Sequence, residues 1–437
     1  MNDLREREPQ QEPANGATIT AINSSSRSRI PPSVSRSFER CFAILGYAIV
    51  SLILVVALLE LISWAIWSVY PSGEPAGRLH QKASPVYEGM DWAKEFWQEE
   101  SSRRQAHTVY VPFRLWGVTN WHGKYINNDA GPRGVWRRTL NPSNCDPRHT
   151  LSVWTFGGST LYGTAVPDWA TIPSYLSHEL NAGSQNCVVV SNFGVEGYVN
   201  DQELILLEEQ LKAGGHPDIV VFYDGVNDSS LAWSPSSPPP PHFLFGTIKS
   251  RVEGSTAGRL DFLKQSYALS LVGEILAHSR SRQSFAPLIS RSQPDVAIVL
   301  DNYEANLRIA RALSNAYQFR LYFFWQPILI YGHKSLVPFE QHMADVDTSG
   351  KSAGSAWFLV MRSVYQEAQS RAGVDGSFIF LGNLFDSTTD PIYVDEAHLG
   401  PEGNELAAKA IAGYIRNNPL ANPSFLRFFD YGRCRAK

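Results

Sequence analysis

Residues 151–160 read LSVWTFGGST: an apolar run, LSVWTFG (151–157), stopped by a glycine pair and followed by Ser159-Thr160. The same design recurs as CVVVSNFG (187–194), DIVVFYDG (218–225), RLYFFWQP (320–327) and SFIFLGNLF (377–385). Between these runs lie amphipathic stretches at 169–181, 200–213, 296–317, 356–372 and 402–416. Short, continuous apolar runs are what strands buried on both faces look like, and their alternation with helical stretches signals a parallel sheet. The expected fold class is therefore α/β, a three-layer α/β/α doubly wound sheet of about five parallel strands (flavodoxin-like). The domain would span 151–420, with an insertion at 229–295 that contains SPSSPPPPHF and then an Arg/Ser-rich piece. That insertion is either a lid over a site or a passive surface loop.

In an open parallel sheet, ligands collect outside the carboxyl ends of the strands. There the sequence places Gly157-Gly158-Ser159-Thr160, then Asn192-Phe193-Gly194-Val195-Glu196-Gly197, then Gly225-Val226-Asn227-Asp228, and finally Asp395-Glu396-Ala397-His398. A serine hydroxyl is a poor nucleophile until an imidazole accepts its proton, and the imidazole needs a carboxylate to fix its tautomer and stabilise its cation. Ser159, His398 and Asp395 can fill these roles, and the three-residue spacing lets Asp395 and His398 meet on one turn. A tetrahedral intermediate then needs donors for its oxyanion. The Ser159 N–H, the Gly197 N–H and the Asn227 side-chain amide are the natural candidates. Each piece alone has a plainer reading: Ser after Gly-Gly is commonly a turn, and Asn227 could be a turn former. Their occurrence in order at strand ends favours a site.

The ordered set Ser159, Gly197, Asn227 and Asp395/His398 resembles the sequence blocks of the SGNH (GDSL-type) hydrolase superfamily. GGST is similar to the first block, NFGVEG to the second, GVND to the third and DEAH to the fifth, and HLGPEGNELAAKAIAGYI is similar to the closing helix. The resemblance covers about residues 150–418. YINNDAGPRG (125–134) and FFWQP (323–327) resemble membrane-anchored bacterial members found with cell-surface polysaccharides. One departure stands out: Gly158 occupies the aspartate position of the GDS form. The G-x-S-x-G elbow of α/β-hydrolases is not met, because position 161 is Leu. The resemblance implies a serine ester hydrolase with an acyl-serine intermediate, acting on O-acyl, above all O-acetyl, groups of a polysaccharide or glycan, without a cofactor. An O-acyltransferase with the same triad, or a non-catalytic glycan-binding or assembly protein that kept the fold, are the alternatives.

The region ahead of the sheet points to a membrane. Residues 41–59, CFAILGYAIVSLILVVALL, carry no charge, and LISWAIWSVY follows Glu60. Roughly 20 apolar residues at a 1.5 Å rise cross a hydrocarbon layer, so 41–70 is expected to be a spanning helix. Trp64, Trp67 and Tyr70 suit an interfacial belt, and Glu60 would sit at the boundary. Arg27, Arg29, Arg36 and Arg40 precede the segment, whereas 71–100 holds three basic and six acidic residues. The positive-inside rule puts the N-terminus in the cytoplasm and the rest outside the cytoplasmic (inner) membrane. A cleaved signal peptide is the alternative. Residues 1–40 read as a disordered cytoplasmic tail, 71–150 as a stem with helical periodicity only near 88–105, and 421–437 as a C-terminal tail.

Composition narrows the field. Of 437 residues, 43% are hydrophobic and 18% charged, ample for a core. The net charge of −4, from 38 basic and 42 acidic side chains, argues against a nucleic-acid partner held by phosphate neutralisation. The ten histidines other than His398 lack metal-ligand spacing, so no metal is expected. Asp224 and Asp228 read as loop-shaping hydrogen bonders, with catalysis the alternative, and Glu196 as an exposed loop carboxylate, with substrate contact the alternative. Trp116, Trp121, Trp136 and Trp233 are either sugar platforms or packing residues.

Four cysteines, Cys41, Cys145, Cys187 and Cys434, are too scattered for a disulfide scaffold. Cys145 precedes the first strand and Cys187 opens the second. In a sheet of order 2-1-3-4-5 these strands are neighbours ~4.8 Å apart, which allows a disulfide at the edge opposite the loops. Its loop of about 40 residues would contribute about 3–4 kcal/mol by the chain-entropy model. Two buried free thiols are the alternative.

Overall fold

The computed structural model of the protein describes residues 32–69, 81–105, 108–184, 187–234, 238–253, 292–345, 353–373 and 376–418. The chain divides into two compact units, Met1–Ala65 and Ile66–Lys437. Helix α1 (Pro32–Val69) contains the stretch Arg40–Ala65, which is long and apolar enough to cross a membrane. Its 26 residues span roughly 39 Å at the helical rise. The helix includes residues 32–40 of the segment expected to be disordered (1–40).

The larger unit opens with a region richer in structure than the sequence suggested. A 3₁₀ turn (Pro85–Tyr87) leads to helix α2 (Ala93–Gln105). Strands β1 (Val109–Val111) and β2 (Leu115–Gly117) pair as a hairpin, and β3 (Trp121–His122), β4 (Asn127–Gly131) and β5 (Gly134–Arg137) form a three-stranded antiparallel sheet. Strands this short carry too few alternations to show a period of two in the sequence. Val86, Tyr87, Phe96, Trp97, Tyr125 and Ile126 form a small core that also takes in Ala165 and Val394. The stem is thereby packed against two of the loops that follow sheet strands.

The main sheet consists of β6 (Thr150–Gly157), β7 (Cys187–Asn192), β8 (Ile219–Asp224), β9 (Arg320–Trp325) and β10 (Phe378–Phe380). All pair in parallel, in the order β10-β9-β8-β6-β7. Counted within this sheet, that is the doubly wound order 2-1-3-4-5 expected from the sequence. The fifth strand is shorter than the run SFIFLGNLF: beyond Phe380 the chain turns at Gly382-Asn383 instead of extending.

Both faces are covered, which is why the strands are apolar throughout. Helix α3 (Ser159–Tyr162) follows β6, and α4 (Ile172–Asn181) leads to β7. Helices α5 (Asn200–Lys212), α6 (Val226–Leu231), α7 (Phe245–Val252), α8 (Ser292–Tyr317), α9 (Pro338–Ala344), α10 (Ala353–Arg371) and α11 (Pro401–Asn417) complete the order. On one face Val153, Val190, Val221 and Phe324 meet α4 and α11. On the other, Phe156, Phe222 and Phe323 meet α5, α8 and α10. The rings of Phe156, Phe222 and Phe323 stack across three strands at 5.2 and 4.4 Å. The insertion contributes the end of α6, α7 and the start of α8. Its stretch 254–291, on which a lid would depend, lies outside the described residues.

Strand β7 is an edge, and side-chain amides cover it. Asn181 pairs with the Val188 N–H and C=O at 2.9 and 2.8 Å, and Asn141 with those of Val190 at 2.8 and 2.9 Å. These contacts occupy groups that would otherwise template another strand. At the amino end of the same strand, Cys145 and Cys187 form a disulfide with their Cα atoms 5.5 Å apart.

Candidate active site

Strand β6 delivers its chain to Gly157-Gly158, and α3 starts at Ser159. A Cβ on Gly158 would run into Asn227 Nδ2. The glycine at this position, the departure from the GDS form, thus makes room for the Asn227 amide beside the serine. The turn is tied down from several sides. Asn192 Nδ2 donates to the carbonyls of Leu161 and Tyr162, the Val195 N–H donates to the Gly157 carbonyl at 3.0 Å, and Gln326 Nε2 donates to Thr160 Oγ1 at 3.2 Å. From the stem, Asn128 Oδ1 accepts the Tyr162 hydroxyl at 3.0 Å. Asp168, six residues past Tyr162, is held by Asn127 and Arg137 at 2.7 Å each.

Asp395 and His398 occupy a tight turn closed by an antiparallel bridge between Tyr393 and Leu399 and by the Val394 N–H donating to the His398 carbonyl at 2.9 Å. Asp395 Oδ1 accepts the backbone N–H groups of Ala397 (2.8 Å) and His398 (2.7 Å), and Oδ2 faces His398 Nδ1 at 2.7 Å. The other ring nitrogen, Nε2, lies 2.8 Å from Ser159 Oγ. Hydroxyl, imidazole and carboxylate thus form one continuous chain. Burial alone would push the Asp395 carboxyl up, but the His398 charge and the hydrogen bonds from His398 and Ala397 outweigh it and hold the group well below the usual range. For His398, burial pulls the imidazole down. The Asp395 charge and hydrogen bond overcome this and leave it raised above its ordinary value.

The oxyanion candidates Ser159, Gly197 and Asn227 lie in the segments that follow β6, β7 and β8. Gly197 sits in a turn at φ +78°, a conformation glycine adopts without strain. Neither the Gly197 nor the Ser159 backbone N–H has a hydrogen-bond partner among the described residues. Trp116 Nε1 donates to the Glu196 carbonyl at 3.0 Å. In a trans peptide the C=O and the following N–H point in opposite directions, so this bond fixes the plane in which the Gly197 N–H is presented. Asn227 spends one amide hydrogen on the Tyr198 carbonyl at 2.7 Å, which holds the amide in place and leaves its second N–H for another acceptor.

Beside this centre one residue differs from the sequence reading and four others resolve between its alternatives. Glu196 is not a solvated loop carboxylate. It pairs with Arg103 and Arg104 of α2 at 3.2 and 3.3 Å and accepts the Thr164 hydroxyl at 2.9 Å. Burial would raise its pKa, but the two arginines and Thr164 bring it down to about 2. Glu100 shares both arginines, at 2.7 and 2.5 Å. Of the four tryptophans, Trp116 packs edge-on against Tyr198 at 5.5 Å and Trp136 against Phe193 at 5.0 Å. Trp136 also lies beneath the Arg114 guanidinium. Trp121 packs against the stem core and Trp233 against the main core. All four are therefore engaged in packing.

Asp224 and Asp228 are buried beneath the Asn227 loop and do shape it. Asn200 bridges them, its Nδ2 donating to Asp224 at 2.9 Å and its N–H to Asp228 at 3.0 Å, and the Tyr303 hydroxyl donates to Asp224 at 3.1 Å. A third carboxyl that no motif announces, Glu203, is buried on α5 among them. Burial, followed by the neighbouring Asp224 and Asp228, pushes Glu203 well above the carboxylate range. Asp224 is raised by burial to about 6, and burial and the neighbouring Asp224 push Asp228 well above its ordinary value. Among the described residues no group of His, Cys, Asp and Glu side chains has an arrangement that could hold a metal ion.

No known family model matches the chain, and no curated protein matches it either. Among solved structures it is similar to a member of the lipolytic protein G-D-S-L family from Veillonella parvula DSM 2008 (12% identity, 60% of this chain and 96% of that one, TM-score 0.29). It is also similar to Axe2, an acetylxylan esterase from Geobacillus stearothermophilus (16% identity, 61% and 94%, TM-score 0.29). A third is the lipase/acylhydrolase from Enterococcus faecalis (13% identity, 61% and 96%, TM-score 0.29). Values this low carry nothing about chemistry, and what the chain can do is read from its own side chains.

Proposed function

We propose that the protein is a serine ester hydrolase of the SGNH type that removes O-acyl, chiefly O-acetyl, groups from a glycan. The observation that carries the reading is the hydrogen-bonded chain Ser159 Oγ–His398 Nε2 (2.8 Å) and His398 Nδ1–Asp395 Oδ2 (2.7 Å). The Ser159 and Gly197 N–H groups, unengaged among the described residues, and the second N–H of the Asn227 amide support the same reading.

In the first half-reaction Ser159 Oγ attacks the acyl carbonyl carbon while His398 Nε2 takes the hydroxyl proton. Asp395 stabilises the imidazolium and keeps Nδ1 protonated. The carbonyl oxygen becomes an oxyanion held by the Ser159 and Gly197 N–H groups and Asn227. Collapse breaks the ester C–O bond, and the imidazolium returns its proton to the departing sugar oxygen. Water then adds to the acyl-serine with His398 again as base, releasing a carboxylic acid and restoring the hydroxyl. The glycan as substrate is drawn from the sequence resemblance.

The apolar stretch of α1 supports anchoring to a bilayer. The arginines before it and the acidic flank after it support a cytoplasmic N-terminus and an extracytoplasmic catalytic domain at the inner membrane. A C-terminal reporter enzyme that functions only outside the cytoplasm is the expected result, and activity of a cytoplasm-only reporter would invert the topology. The activity itself is tested on the full chain in membranes, with an O-acetylated polysaccharide and with p-nitrophenyl acetate. Free acetate from both, abolished by Ser159→Ala, is expected. Acetyl transfer to added acceptor sugar in place of acetate release would replace water as the acceptor.

A further inference from the structure

The acid of the triad has a contact that its own turn does not provide. Gln81 Nε2 donates to Asp395 Oδ2 at 2.6 Å, across 314 residues of sequence. This is the same oxygen that faces His398 Nδ1. Among the described residues four donors surround the carboxylate: three come from Ala397 and His398, within the turn, and Gln81 alone comes from elsewhere. The chain that follows Gln81 keeps hold of the same region. Ser84 Oγ donates to the Tyr393 carbonyl at 3.1 Å, and Val86 lies so close under Gly400 that a Cβ there would clash with it. Farther along, the Tyr87 hydroxyl donates to the Ala165 carbonyl at 2.7 Å. Gln81–Tyr87 therefore lies as a strap across the acid turn and the loop after the nucleophile.

We propose that Gln81 is a positioning residue for the triad: by occupying the outer side of Asp395 Oδ2, it fixes the carboxylate rotamer that presents this oxygen to His398 Nδ1. The turn's two backbone donors anchor Oδ1, and within the turn only the mobile imidazole itself holds Oδ2. The Gln81 amide is a second hold on that oxygen. It also draws negative charge from Oδ2 and so moderates the stabilisation of the imidazolium. A residue lying twelve positions beyond the end of α1 thereby becomes part of the catalytic support.

The kinetic test rests on the ester-hydrolase reading, so a second measurement independent of turnover accompanies it. In the full chain, Gln81→Ala is expected to lower kcat on p-nitrophenyl acetate about tenfold to hundredfold with KM nearly unchanged, the scale of a small misalignment. Loss of the donor leaves Asp395 more negative, so the His398 imidazolium is better stabilised. The acid limb of kcat/KM, and the titration of the His398 ring protons followed by NMR in the resting protein, should both move to higher pH by roughly half a unit. Ser84→Ala removes a strap contact but none to the triad, and is expected to lower Tm without moving the acid limb or the titration. If no form of the protein hydrolyses the ester, the functional reading fails while the NMR titration still decides the role of Gln81. A Gln81→Ala protein with unchanged kcat and an unchanged His398 titration overturns the proposal, as does a loss of kcat that merely tracks the fraction folded.

Discussion

His398 Nε2 stands 2.8 Å from Ser159 Oγ, although 239 residues of chain separate the two. The contact exists because β6 and β10 are parallel members of one sheet, so the loops leaving them open on the same side. The local Asp395–His398 turn then only has to lean over the start of α3. Neither residue needs unusual backbone conformation to reach the other.

The raised pKa of His398 sets the acid limit of turnover. The imidazole acts as a base only when neutral, so activity should be low under acidic conditions and rise with pH. The apparent pKa should lie above the ~6.5 of an ordinary histidine. Asp395→Asn removes the charge that raises it. The expected result is an acid limb displaced to lower pH together with a fall in kcat of about 10⁴-fold, both read from a pH series of kcat/KM.

Asn227→Ala should lower kcat by roughly 10²–10³-fold with a smaller effect on KM, the usual cost of an oxyanion donor. Because Asn227 also bonds the Tyr198 carbonyl, Tm has to be measured alongside. A change confined to KM would make Asn227 a ground-state binding group.

Stability should fall as pH rises through the range where the buried carboxyls ionise. Glu203 has a folded pKa raised above its unfolded value near 4.3, with burial the first cause. Its contribution is fully present below that unfolded value and is lost progressively as pH rises towards the folded one. Glu203→Gln, which cannot ionise, is expected to flatten this decline and to add about 1–3 kcal/mol near pH 7. Denaturant unfolding at several pH values measures it, and a variant with the wild-type slope would assign the decline to other groups.

The Cys145–Cys187 bond closes a separation of 42 residues, which by chain entropy is worth about 3–4 kcal/mol. The Cys145→Ser/Cys187→Ser double variant should unfold at correspondingly lower denaturant while keeping turnover, since the bond lies at the sheet edge opposite the loops. Free-thiol labelling of both cysteines in the oxidised native protein would contradict the pairing.

What was legible in the sequence follows from where the information is stored. Ser159, Gly197 and Asn227 sit just past strands that are apolar because both faces are covered, so the end of each apolar run marks its loop. Asp395 and His398 lie farther from β10, yet their three-residue spacing is local and visible. Gln81, Arg103 and Trp116 touch the same centre from a region of one helix, short strands and turns. Their contacts join residues with no common spacing or periodicity, so nothing local announces them. Glu196 misled because a loop carboxylate beside glycine looks solvated, and its arginines lie 92 and 93 positions earlier. Glu203 was hidden for the opposite reason: a glutamate on an amphipathic helix is ordinarily on the wet face, and here it points into a buried carboxyl cluster.

The central claim, that Ser159 attacks an ester and carries its acyl group, is tested most directly by trapping that intermediate. The full-length protein is mixed with p-nitrophenyl acetate, quenched in acid within the first turnover and digested for mass spectrometry. One acetyl group on the peptide containing Ser159, absent from Ser159→Ala and accumulating in Asn227→Ala no faster than in wild type, is the predicted result. Ester turnover by the wild type with an unmodified Ser159 peptide, or turnover that survives in Ser159→Ala, would contradict it.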